Sequence, residues 1–381
     1  MDPHRDNQAK RTDLFIKNGM AHLYFAFDVG FAINLDETVR RITSGTPQAY
    51  SRRRTNKYLK LTPSPVRIPQ AFPEHPVFAS FKTQPQAEAL IFEFGSISVA
   101  LKVPFSGGLP EVTQFIQSIY ANGNLKQYAR SFLDQVLKDI APAITKMSVS
   151  SQIEDYFVFQ VMACEPALEA DDLIAGHSGN IACMLRGELA PLSEEEVQEI
   201  MANRVSYGKS DVAFVDWDSA IVFNSEAEDI CMVLEHTNVA LLEFSFLNQK
   251  INQALEEFYD YLQPARHRFP AFFFKSLYPQ LQATGQFQLD TEIIFESVTN
   301  SLKLFGDVFL ARLYDLSSKQ LGLEDWQESI NRKIRTVESI YNKLSQEESN
   351  RRLEILEWII IILIAVSILI PFIPGLSGLQ H

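Results

Sequence analysis

The sequence predicts an α+β fold: a mostly antiparallel sheet domain, then a long-helix bundle, then a single C-terminal transmembrane helix. Three observations carry that reading. Aromatic and β-branched runs suited to strands crowd the chain up to about residue 225. Heptad-like apolar spacing then takes over. Finally, Trp358–Leu376 is a run of 19 residues without a charge.

The elements follow in chain order. Residues 1–18 read as a polar tail, with no apolar signal core and too much acid for a transit peptide. Residues 19–225 read as the α+β domain. Its first strand falls within residues 21–35, and Asp36-Glu37 opens a short helix through Val39 and Ile42. Pro63, Pro65, Pro69 and Pro73 predict an extended connector. Residues 89–105 predict a hairpin turning at Gly95 and Ser96. Helices are expected over Pro110–Ala121 and Gln127–Ile140, where Phe115, Ile119, Phe132, Val136 and Ile140 line apolar faces. Strands are expected over Ile153–Ala163, Asn180–Gly187 and Asp211–Phe223, with a helix capped by Ser193 between the last two.

Residues 226–350 read as a helical bundle or coiled coil. From Ile230 to Leu262 ten positions alternate by four and three, and eight of them are apolar. A second helix is predicted over Asp290–Leu316, then a turn at Gly322. The third helix carries Leu323, Ile330, Val337 and Leu344 at intervals of seven. Such seams pack a three-helix bundle or join copies of the chain into a homo-oligomer.

Residues 353–376 read as the membrane anchor. The uncharged run Trp358, Ile359, Ile360, Ile361, Ile362, Leu363, Ile364, Val366, Ile368, Leu369, Ile370 continues through Leu376; Pro371 and Pro374 cut the regular helix near Ile370, which leaves a buried hairpin of a soluble core as the alternative. A helix of that length rises about 28 Å, close to the hydrocarbon thickness of a bilayer. Trp358 suits the interface, and Arg351 and Arg352 precede the run while no Lys or Arg follows it. The positive-inside rule then expects a single-pass, tail-anchored protein with its N-terminal domain in the cytoplasm.

Composition narrows the function classes. The chain has 381 residues, 46% apolar and 21% charged, enough to bury a sizeable core. Cys164, Cys183 and Cys231 are isolated, which excludes a disulfide scaffold or zinc ribbon and suits a reducing compartment. The net charge of −13 hides an asymmetry: residues 1–67 hold 12 Lys/Arg and 6 Asp/Glu, a net of +6, which leaves −19 for the rest. Eight cations and no acid lie between Thr38 and Arg67. Arg40, Arg41, Arg52, Arg53, Arg54, Lys57 and Lys60 are candidate anion-binding residues, for RNA phosphates or anionic lipid. Alternatively they pair with the protein's own acidic surface at Glu169, Asp171 and Glu194–Glu196.

Catalytic signals are weak. No GxGxxG or GxxxxGK[ST] occurs, and the Ser106–Pro110 turn lacks a phosphate-binding lysine. Asp171, Asp172, His177, Ser178 and Asn180 gather acid–base types in what reads as a loop. Cys164, Cys183 and His177 have no zinc-ligand spacing, so no metal, cofactor or catalytic residue is assigned.

The motifs Arg312-Leu-Tyr, Lys319-Gln-Leu, Trp326-Gln-Glu-Ser-Ile330-Asn-Arg-Lys333, Glu338-Ser-Ile-Tyr341-Asn-Lys-Leu344 and Leu356-Glu-Trp-Ile-Ile-Ile-Ile-Leu-Ile occur over residues 290–370. This stretch resembles the YagE-like family, whose eukaryotic branch is named for a requirement in meiotic nuclear division. The resemblance implies a membrane-anchored protein with no catalytic residue to carry over. It implies a partner linked to translation, the ribosome included. It also implies a mitochondrial inner membrane facing the matrix in eukaryotes and a cytoplasmic membrane in bacteria. Two functions are therefore expected as rivals: a non-enzymatic scaffold or tether held at a membrane, or an enzyme with a site near Asp171–Asn180.

Overall fold

The computed structural model describes residues 14–45, 59–61, 63–262, 278–300, 302–304 and 307–369. The chain is α+β with a large, mainly antiparallel sheet, and it divides into two compact units. The first comprises Met1–Leu247 and Ile294–Gln327, the second Asn248–Ile293 and Glu328–His381.

The first unit opens on β1 (Phe15–Asp28), which begins inside the stretch read as tail, followed by β2 (Ala32–Ile33) and α1 (Leu35–Gly45). Then come β3 (Leu59–Leu61), β4 (Val66–Ala71), β5 (Val77–Phe78), β6 (Phe81–Lys82), β7 (Gln86–Ile91) and β8 (Ser96–Gly108). Two helices, α2 (Leu109–Tyr120) and α3 (Leu125–Ile140), lead to β9 (Ile144–Thr145) and β10 (Ile153–Glu165). The expected hairpin is β7–β8. Gly95 turns it at φ +98°, and a Cβ there would lie 1.9 Å from the Gly30 carbonyl oxygen, so only glycine fits.

After β10 the expectation fails. Asp171–Asn180 is no loop and Asn180–Gly187 no strand; both lie in α4 (Ala170–Arg186). Gly176, Ser178 and Gly179 argue against helix locally. However, Leu173, His177, Ile181, Met184 and Leu185 recur at helical spacing and are buried, and that packing overrides propensity. Asp171 and Asp172 occupy the first turn, Arg186 the last, and Gly187 ends the helix at φ +62°. The next helix, α5 (Glu194–Ala202), starts as expected: the Ser193 side chain accepts from the Glu196 backbone N–H.

β11 (Arg204–Val205), β12 (Val212–Val215) and β13 (Ser219–Phe223) complete the sheet, whose order is β11-β12-β13-β10-β1-β8-β7-β4. Only β10 and β13 run parallel within it. Alternation divides the sheet chemically. Ala21, Leu23, Phe25 and Phe27 of β1 join Val99, Leu101 and Val103 of β8 in the apolar core that also holds α2, α3 and α4 side chains. The intervening residues, among them His22, Tyr24, Ser98 and Lys102, belong to the opposite and more polar face.

The helix α6 (Glu228–Leu262) begins in this unit. Its stretch Val233–Ala240 is buried on every side. Among the described residues, α6 alone is long and apolar enough to cross a membrane, over Glu228–Glu257, but 78% of its apolar window is buried inside the protein. A helix apolar all round and enclosed by protein is a core helix.

The helix expected over Asp290–Leu316 is interrupted. The chain forms α7 (Tyr278–Asn300), then β14 (Leu302–Leu304) pairing with β3, then α8 (Val308–Gln320). Asp307 restarts the helix by accepting from the Phe309 and Leu310 amides. Gly322, at φ +64°, makes the expected turn into α9 (Leu323–Leu369).

In the second unit Ile251 of α6 and Ile330, Val337, Ile340 and Leu344 of α9 are buried. Three of these are the seam positions at intervals of seven. Further along α9 the burial ends: residues 352–369 are exposed without exception.

Candidate functional site

The residues singled out from the sequence do not form one site. Asp171 and Asp172 are exposed on α4, whereas His177, on its opposite side, is buried. Arg40 and Arg41 are both paired with Glu37 one turn back in α1. Arg52, Arg53, Arg54 and Lys57 lie outside the described residues, and of Lys60 the structure gives the backbone in β3. Glu196, one of the acids named as partners, pairs with Arg186 at 2.8 Å. Arg67, counted with the surface cations, is instead enclosed in an ion-pair network.

That network floors a cleft of about 1210 Å³ in the first unit, on the polar face of the sheet beside the start of α6. Arg67 of β4 donates from Nη1 to Glu88 of β7 and from Nη2 to Glu235 of α6, each at 2.9 Å. Lys102 of β8 donates to the other oxygen of Glu88 at 2.6 Å. Charges thus alternate Lys102, Glu88, Arg67, Glu235 and sum to zero. Burial disfavours the charge on Arg67, yet Glu235 and Glu88 outweigh it and raise its affinity for the proton. Burial likewise opposes ionisation of Glu88, but Lys102 and Arg67 hold its carboxyl below the ordinary range. Glu235 is 1% exposed, so a buried pair of this kind, once broken, costs about 3–5 kcal/mol.

Beside the network, β1 contributes His22 and Tyr24, stacked with ring centroids 6.1 Å apart. Gln160 of β10 donates from its amide nitrogen to the carbonyls of Asn224 and Ser225, at 3.0 and 3.4 Å. Its oxygen therefore meets His22 Nε2 at 3.2 Å. Nε2 must then carry the hydrogen, leaving Nδ1 a bare acceptor. Burial, reinforced by Lys102, pushes the imidazole down to about 4, so it is neutral at physiological pH. Burial also lifts the Cys231 thiol to about 12, despite a hydrogen bond from Tyr24 that lowers it. That thiol is a packing group rather than a nucleophile.

Two acceptors in this cleft have no partner among the described residues: His22 Nδ1 and Glu235 Oε1. A buried acceptor left unsatisfied costs about 1–3 kcal/mol, so the arrangement calls for a donor. The chemistry on offer is recognition by hydrogen bonding and charge. Of these residues only Arg67, as one of eight cations, and Cys231, as an isolated thiol, stood out in the sequence. The signals were the alternation of Met20, His22 and Tyr24 with Ala21, Leu23 and Phe25, and the polar block Glu235-His236-Thr237-Asn238 inside an apolar helix.

The family profile described as "Uncharacterized protein MJ0711, N-terminal domain" matches residues 18–229, from β1 to the first turn of α6. The uncharacterized protein MJ0711 of Methanocaldococcus jannaschii is 22% identical over 204 residues, covering 53% of this chain and 62% of that relative. No solved structure matches the chain. These findings correct the YagE-like resemblance. That likeness rested on residues 290–370, where amphipathic helix and apolar run are features shared by unrelated membrane proteins, whereas the matched family lies in the sheet domain. The chain belongs to the family of the MJ0711 N-terminal domain.

Proposed function

We propose that this is a single-pass membrane protein whose C-terminal helix holds the α+β domain at the cytoplasmic face, where it engages a partner without catalysing a reaction. One observation carries the reading. The large apolar residues from Trp358 to Leu369 are each between 46% and 63% exposed, all around the helix. In water, each such side chain forgoes roughly half of the 1.5–3 kcal/mol that full burial would return. A helix apolar on every face and covered by no protein suits hydrocarbon. Arg351 and Arg352 before the apolar run set the orientation.

The basic stretch fits the same setting. In the proposed orientation Arg52, Arg53, Arg54 and Lys57 lie on the side of the anionic leaflet, which attracts cations at about 1 kcal/mol each near its surface.

Alkaline carbonate extraction and flotation of the full chain test the anchor. The full chain should remain with the vesicles, and a variant ending at Glu357 should be released as a folded protein. Retention of the truncated form on membranes after a high-salt wash would place the attachment elsewhere and refute the proposal.

A further inference from the structure

We propose that two copies of this chain pair in parallel along the part of α9 that the fold leaves uncovered, on a seam that opens with Leu353 and Leu356. The inference rests on the membrane reading above, since a shared bilayer gives both copies the same direction. The first seam of α9, Ile330, Val337 and Leu344, is buried inside the protein. Continued at the same interval it would fall on Arg351, and the residues from Ser345 to Arg352 are all polar, so it ends there. Leu353 lies about two and a half turns beyond Leu344 and therefore faces the opposite side of the helix. Leu353 and Leu356 are each more than half exposed. They also precede the uncharged run, among Arg352, Glu354 and Glu357, where hydrocarbon does not cover them.

Spacing and charge name what does. With Leu353 at a and Leu356 at d of a heptad, Ile360 takes the next a and Leu363 the next d. Between residues 345 and 357 no other frame puts two apolar side chains on those positions. A β-branched residue at a with leucine at d favours two strands. The same frame sets Arg352 at g and Glu357 at e. In a parallel pair, g of one helix meets e of the following heptad on the other, so Arg352 meets the partner subunit's Glu357, and the contact occurs twice. Within its own helix Arg352 reaches Glu348 at 3.5 Å, which leaves it donors for a second carboxylate. Trp358 falls at f, turned away from the partner, where its indole is free to meet lipid headgroups.

Oxidative crosslinking of the full chain in phosphatidylcholine vesicles, at high lipid dilution and with copper phenanthroline, tests the pairing. Cys164 and Cys183 are replaced by serine, and the buried Cys231 stays. Leu356→Cys, on the seam, should give a disulfide-linked dimer. Glu354→Cys, at b on the outer face, should give at least about fivefold less. Charge checks the frame. Added to Leu356→Cys, Glu357→Arg sets like charges against each other and should lower the yield about three- to tenfold. Adding Arg352→Glu as well restores opposite charges with the signs exchanged, and the yield should recover. Carbonate extraction of the same proteins keeps the two readings apart. Protein that leaves the vesicles refutes the anchor and the pairing with it. Protein that stays, yet crosslinks no better at residue 356 than at 354, or whose yield does not recover in the charge-exchanged variant, overturns the pairing alone.

Discussion

Asp218, in the turn between β12 and β13, shows how one residue can work against its own fold. Burial first, then the neighbouring Asp216, lifts its carboxyl to about 6 from an ordinary 3.8. The folded state therefore holds that proton more tightly than the unfolded chain does. Its contribution is complete below about pH 4 and disappears as pH rises through about 6. His22 has the opposite sign. Its folded value, about 4, lies below the ordinary 6.5, so its contribution is present at neutral pH and lost as pH falls between those values. Glu88, held below its ordinary range, adds to the loss in acid. Asp218→Asn keeps the shape and discards the charge, so it should stabilise the protein at about pH 8, by about 1–2 kcal/mol after allowing for partial exposure. At about pH 4 it should change nothing, because the native carboxyl is already protonated there. Thermal midpoints of variant and parent at the two pH values check this. A variant no more stable than the parent at the higher pH would sink the account.

At the scale of elements, the β7–β8 turn is the most constrained piece of backbone in the sheet domain. Gly95→Ala would meet both a left-handed φ and the Gly30 carbonyl, with a cost of about 2–4 kcal/mol. Chemical denaturation should show a lower midpoint with little change in slope, and a neutral result would mean that the turn can open. This hairpin was legible in the sequence because its signal is local: two β-branched runs around a glycine. So was α5, whose Ser193 cap sits three residues before the amide that it receives. Helix α4 was illegible for the converse reason. Its glycines and serine resist helix, and the burial that overrides them comes from α2 and β13, distant in sequence, as well as from α5. The break between α7 and α8 likewise depends on Leu302–Leu304 pairing with Leu59–Leu61. The cleft was the least legible feature. Arg67 meets Glu235 across 168 positions and His22 meets Gln160 across 138, separations that no spacing rule reaches. What was visible, His22 and Tyr24 alternating with apolar residues in β1, is also how an ordinary solvated sheet face looks.

For the molecule as a whole, one sequence carries two long apolar helical stretches of opposite burial. Helix α6 spends its apolar surface inside the protein, whereas the far end of α9 leaves its surface uncovered. Among the described residues α6 alone passes for a span by length and hydropathy, yet it is the one that protein covers. That contrast makes opposite outcomes for the same kind of substitution. A charge placed in α6, as in Val239→Lys at a fully buried position, should destabilise the folded first unit and leave the proposed anchor in α9 untouched. Ile362→Lys stands where every neighbour along the helix is exposed, so the fold should keep its melting midpoint. Its cost should appear in insertion instead, about 2.5–3.5 kcal/mol for a lysine near the middle of a span. Insertion into microsomes, scored by carbonate resistance, and melting of the detergent-solubilised protein separate the two effects. If Ile362→Lys unfolds the protein yet inserts normally, the exposed end of α9 packs on protein rather than lipid, and the anchor assignment falls with it.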